Sequence, residues 1–87
     1  MKLIYKYLVP IIENSKIEVP VGAEIISIEI DNNELYVHTV IDVLQNRRTM
    51  YNFKIISNNQ HFESLFGYKF LGTVKIRSGT LHIFKKE

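Results

Sequence analysis

The chain has no cysteine. That absence excludes disulfides, thiolate metal sites and cysteine nucleophiles together, and it fits a cytosolic protein better than a secreted one. Tryptophan is missing as well, and only two prolines and four glycines punctuate the 87 residues. No apolar run approaches the roughly 20 residues that a membrane-spanning helix requires. The opening MKLIYKYLVP carries charge inside its apolar stretch and lacks a small-residue cleavage site, so it does not read as a signal peptide.

Motifs that carry chemistry are scarce too. There is no glycine-rich phosphate loop, no GxSxG and no HExxH. His38, His61 and His82 lie on different segments with no second ligand at metal spacing, so neither a metal nor a cofactor is expected. Glu29 and Asp31 alternate along one strand and read as solvated edge charges rather than an acid–base pair. The expectation is a protein that binds, not an enzyme.

What is present is strand periodicity. Nearly every segment alternates with period two, and none sustains a helical stripe over three turns. Leu3–Val9 reads as a strand stopped by Pro10, and Lys16–Val19 as a short one ended by Pro20, with Val21-Gly22 as the turn. Glu24–Asp31 and Glu34–Asp42 flank Asn32-Asn33, a two-residue loop whose asparagines tolerate positive φ. That loop sets Ile30 against Leu35 and Ile28 against Val37 on one face, with Glu29 against Tyr36 and Ser27 against His38 on the other. Leu44–Arg47 is a connector, and Arg48–Ser57 a longer strand with apolar residues on both faces. Asn58–Gly67 is the one long loop, with room for a helical turn around Phe62–Phe66; it either packs on itself or acts as a lid. Tyr68–Arg77 and Thr80–Lys85 then form a hairpin around Ser78-Gly79, pairing Thr73 with Phe84 and Lys75 with His82. The predicted fold is one all-β domain over residues 1–87, with about seven short antiparallel strands in a sandwich or partly open barrel. A domain this small buries only about 60–65% of its unfolded surface, which makes oligomerisation a natural supplement.

Charge is unevenly spread. Up to Asp42 there are three basic and seven acidic residues, whereas eight basic and two acidic residues follow it. The basic half is interleaved with aromatics: Arg47, Arg48 and Tyr51 begin the long strand, and Lys69, Thr73, Lys75, Arg77, His82 and Phe84 fall on the predicted outward face of the last hairpin. Guanidinium groups grip phosphate bidentately, lysines neutralise it, and aromatic rings stack on bases. Lysine and arginine also solubilise exposed strands, so the same face fits a protein-interaction or oligomer surface. The net charge of +2 argues against a sequence-independent nucleic-acid binder.

The order of landmarks then matters. Ile4-Tyr5-Lys6-Tyr7 opens the chain, followed by Glu18-Val19-Pro20-Val21-Gly22-Ala23-Glu24-Ile25-Ile26-Ser27 and a strand ending Val40-Ile41-Asp42. Arg47-Arg48-Thr49, Tyr68-Lys69-Phe70-Leu71-Gly72-Thr73 and His82-Ile83-Phe84 complete the set. In this order the chain resembles, over nearly its whole length, a family of small phage proteins that act as cyclic-nucleotide sponges against CBASS-type defence. It departs from the commoner members where Ser57-Asn58-Asn59-Gln60-His61 replaces a glycine-rich segment. The resemblance implies a homo-oligomer, a dimer or tetramer, in the cytoplasm of an infected bacterium. It also implies that a cyclic GMP–AMP-type ligand is held uncleaved at or between subunits. From charge and face, Arg47, Arg48, Lys75 and Arg77 are the candidate phosphate contacts and Tyr7, Tyr51 and His82 the candidate base contacts. The alternative is a module that docks a host or phage protein through a sheet face or edge.

Overall fold

The computed structural model describes residues 1–87 and contains seven strands: β1 (Lys2–Val9), β2 (Asn14–Pro20), β3 (Glu24–Asp31), β4 (Glu34–Asp42), β5 (Arg48–Ser57), β6 (Tyr68–Ile76) and β7 (Gly79–Lys86). They form two antiparallel sheets, one ordered β1-β4-β3 and the other β2-β5-β7-β6. The sheets pack as an open sandwich, and no closed barrel forms. Alternation explains the layering: β2 buries Ser15, Ile17 and Val19 while Asn14, Lys16 and Glu18 face water. The core between the sheets is built from Val9, Val19, Leu35, Val37, Phe53, Ile55, Leu81 and Ile83, among others.

The β3–β4 hairpin has the predicted register, with Ile30 opposite Leu35, Ile28 opposite Val37 and Ser27 opposite His38. Asn32 and Asn33 both hold positive φ, 52° and 64°, the signature of a tight turn that matches strand twist.

The β6–β7 hairpin differs from expectation. Its turn residues are Arg77 and Ser78, and Gly79 already opens β7 opposite Ile76. Arg77 and Ser78 keep negative φ while Gly79 takes 148°, so glycine relieves the turn from the position after it. Thr73 therefore opposes His82, and Lys75 opposes Thr80. The slip is an even one, so every side chain stays on its predicted face near the turn. Further along, the register shifts between Phe70 and Gly72. This bulge turns Lys69 away from the outward face and toward Leu71, Tyr51 and Lys85. A Cβ at Gly72 would meet Ile28 Cδ1 at 2.8 Å, so a larger residue there would have to push the end of that side chain aside.

The helical turn expected around Phe62–Phe66 does not form. Local side-chain bonds hold residues 57–68 instead. Ser57 N–H and Oγ donate to Gln60 Oε1, Gln60 Nε2 donates to Glu13 Oε1 at 2.9 Å, and Phe66 N–H donates to Ser64 Oγ. Such bonds compete directly with helical ones. Phe62 and Phe66 are left exposed.

Candidate functional site

The two sheets diverge at the end of the sandwich where β1, the end of β4 and the start of β5 meet. Leu3, Tyr5 and Tyr7 are the odd-numbered side chains of β1, and they point to the side on which Val9 is fully buried. The register sets Leu3 opposite Ile41, and on the other sheet Pro20 opposite Arg48. The connector between β4 and β5 closes the end. Leu44 N–H donates to Asp42 Oδ1 at 3.0 Å, Gln45 N–H to the Asp42 carbonyl at 3.0 Å, and Arg47 N–H to Gln45 Oε1 at 3.0 Å. Val21 N–H donates to the Arg47 carbonyl at 2.9 Å, tying the connector to the turn after β2. The result is an open cleft of about 390 Å³ whose lining includes Leu3, Tyr5, Tyr7, Asp42, Gln45 and Arg48. That volume sits at the low end of small-molecule sites. The Tyr5 and Tyr7 rings lie 4.7 Å apart at a 58° tilt, so they present a ready aromatic wall.

The seven candidate residues divide by position. Tyr7 and Arg48 share this cleft, and Arg47 is exposed on the adjoining connector. Tyr51 faces a different cleft of about 380 Å³, with Lys69, Lys85, Glu24 and Glu87, whose charges balance. Its hydroxyl donates to the Ala23 carbonyl at 2.5 Å, Lys85 Nζ lies 4.1 Å above its ring, and burial pushes its pKa above the usual 10.0. Tyr51 is thus committed to fixing the turn after β2. Lys75, Arg77 and His82 lie at the opposite end of the sandwich. Arg77 N–H donates to Asn33 Oδ1 at 2.8 Å, so the two hairpin tips meet there. From Glu34 to Asp42 β4 spans roughly 30 Å, which separates these three from Arg48. His82 Nδ1 meets Thr73 Oγ1 at 2.9 Å and its Nε2 meets Asn58 Oδ1 at 2.6 Å. Both ring nitrogens are therefore occupied, Nδ1 across the β6–β7 ladder and Nε2 at the start of the long loop.

Tyr5, Asp42 and Gln45 belong to the cleft but were not among the sequence candidates. The alternation Tyr5-Lys6-Tyr7 carried a signal for Tyr5, since it fixes both tyrosines on one face. Nothing local marks Gln45, whose place depends on the connector's fold.

One family matches residues 1–87, described as a domain of unknown function, DUF7352. The chain belongs to that family. No curated protein and no solved structure matches it.

An anion entering the cleft of this DUF7352 domain would meet Asp42, so its charge matters. Asp42 Oδ1 accepts from Leu44 N–H and lies 3.5 Å from the N-terminal ammonium. The Leu44 hydrogen bond, then the ammonium and Lys2, hold its carboxyl below the usual 3.8. A depressed folded-state pKa means that the stabilisation is present above about pH 4 and is lost as pH falls through the folded value. Asp42→Asn is therefore expected to lower the melting temperature at neutral pH, with the difference from wild type closing as pH falls through the lowered folded value. Thermal melts followed by circular dichroism across that window measure it. A difference that does not change with pH would show that the charge contributes nothing.

Proposed function

We propose that this domain is a non-catalytic binding protein that sequesters a cyclic oligonucleotide, of the cyclic GMP–AMP type, in the cleft between its sheets. The observation that carries the reading is that the Tyr5–Tyr7 wall and Arg48 line one open cleft. Rings of this kind stack on bases, and a guanidinium grips a phosphate through two parallel hydrogen bonds. Gln45 adds an amide at the rim, and the neighbouring ammonium offsets the negative charge of Asp42. Resemblance to the phage sponge proteins supports the same ligand class and a role in escaping host immunity. A cleft of about 390 Å³ encloses only part of a dinucleotide, so a homo-oligomer would supply the remaining wall.

A thermal-shift screen with cyclic di- and trinucleotides tests the reading, because a ligand that binds only the folded state raises the melting temperature. At a ligand concentration of 100 times Kd the stabilisation is about 2.7 kcal/mol, a rise of roughly 10–20 °C for a domain of this size. Intact ligand recovered after denaturing the complex would separate sequestration from hydrolysis. No shift with any cyclic nucleotide would overturn the proposal.

A further inference from the structure

An open sandwich of this kind has four edge strands, and three of them are protected. The register of β3 shifts between Ile25 and Ser27, and that of β6 between Phe70 and Gly72; such bulges disrupt edge pairing. The outward residues of β2 are Asn14, Lys16 and Glu18, and the strand ends in Pro20. The fourth edge, β1, carries Lys2 and Lys6 but has no register shift and no proline within it. It runs eight residues and leaves Leu3, Ile4, Tyr5 and Leu8 exposed. A long, regular, apolar edge is a template for another strand.

The hydrogen-bond phase of that edge can be read from the ladder. Val43 N–H donates to the Met1 carbonyl at 3.0 Å, in the same register that pairs Lys2 with Asp42. Bonded pairs alternate along an antiparallel ladder, so Met1, Leu3, Tyr5 and Tyr7 bond inward to β4. The Thr39 hydroxyl also donates to the Tyr5 carbonyl at 2.9 Å, placing that carbonyl on the inward side. Lys2, Ile4, Lys6 and Leu8 are then the residues whose N–H and C=O groups point outward, unpaired. A second copy related by a two-fold axis can satisfy them antiparallel in three well-overlapped registers. Centring the axis on Ile4 sets Lys2 against Lys6, and centring it on Lys6 sets Lys6 against itself. Centring it on Tyr5 pairs Ile4 with Lys6 and Lys2 with Leu8, with no lysine opposite lysine. Like charges directly opposed are destabilising, so charge selects the last register.

We infer that two copies of this chain pair through β1, with Tyr5 on the two-fold axis, joining their three-stranded sheets into one continuous sheet. The side chains meeting at the axis are those of the cleft: Tyr5 beside Tyr5 of the second copy, and Leu3 beside Tyr7 of the second copy. The two clefts open side by side across the axis, an arrangement matched to a ligand with two linked nucleotides. This last step rests on the ligand reading above; the pairing itself does not.

Light scattering without ligand is expected to give the mass of a dimer. Ile4→Lys puts a lysine against Lys6 of the second copy twice over and is expected to give a monomer with an unchanged circular dichroism spectrum. Because the chain has no cysteine, a single introduced thiol reports the register. Tyr5 falls at a non-bonded pair, where Cα atoms lie about 4.5 Å apart, inside the range of about 4.4–6.8 Å that a disulfide spans. Tyr5→Cys is expected to become a covalent dimer under mild oxidant, far faster than Leu44→Cys at the more exposed connector. A monomeric wild type, or Tyr5→Cys crosslinking no faster than Leu44→Cys, would overturn the inference. A dimer that ignores every cyclic nucleotide would leave this interface standing and remove the ligand reading. A monomer that binds one would do the reverse.

Discussion

Phe53→Ala is expected to leave the domain largely unfolded near body temperature. Phe53 is the largest fully buried side chain, 1% exposed, at the centre of the four-stranded sheet's inner face. It sits opposite Ser15 on one neighbouring strand and Lys85 on the other. Truncating a buried phenylalanine removes its transfer free energy and leaves a cavity that packed neighbours fill only in part, a loss of about 3–5 kcal/mol. A domain of this length is stable by only about 5 kcal/mol, so the variant retains roughly 0–2 kcal/mol. The melting temperature should fall by some 15–30 °C. Phe53→Leu, which keeps most of the volume, should cost about 1–1.5 kcal/mol. Urea unfolding monitored by circular dichroism gives both values. Equal losses for the two variants would mean that ring shape, not filled volume, holds the core.

The same residue shows how much of this fold was legible beforehand. Alternation puts Phe53 on one face of its strand with Tyr51 and Ile55, although apolar residues on both faces leave the inner one undecided locally. The Asn32-Asn33 hairpin was legible for an equally local reason, since both asparagines tolerate positive φ. Where two local signals competed, the reading slipped. Gly79 reads locally as a turn residue but serves as the first residue of β7, which moves the register by two. The bulge before Gly72 left no local trace, and it reversed the direction of Lys69. Residues 62–66 look helical only until Ser64 and Gln60 are seen binding nearby backbone and side chains.

The candidate site was legible in part and for a different reason. Which face of β1 holds Tyr5 and Tyr7 is local information, and so is the basic start of β5. That these two features share one cleft depends on β1 and β5 lying in different sheets, with β2 beside them. Such long-range placement is carried by the packing of Val9, Val19 and Phe53, not by any motif near Arg48. Charge clustering after Asp42 drew Lys75, Arg77 and His82 into the same set as Arg48. The hairpin contact between Arg77 and Asn33 puts the first two at the far tip, and His82 is held by Thr73 and Asn58.

That separation sets up the sharpest test of the site. Arg48→Ala is expected to weaken binding of a cyclic dinucleotide by about 10–100-fold, because a hydrogen bond to a charged group contributes about 1.5–3 kcal/mol. Arg48 is exposed and forms no ion pair within the chain, so the melting temperature of the unliganded variant should stay close to wild type. Arg48→Lys keeps the charge but not the planar two-pronged donor, and should fall between the two. Lys75→Ala and Arg77→Ala remove the same unit of charge roughly 30 Å away, several Debye lengths at physiological salt, and should leave affinity within about twofold. Isothermal titration of the four variants, each at two salt concentrations, compares them directly. If Arg77→Ala weakened binding as much as Arg48→Ala, the ligand would sit at the hairpin tips. If none of the four changed it, the basic half of the sequence would have no part in recognition, and the aromatic edge of β1 would have to account for binding by itself.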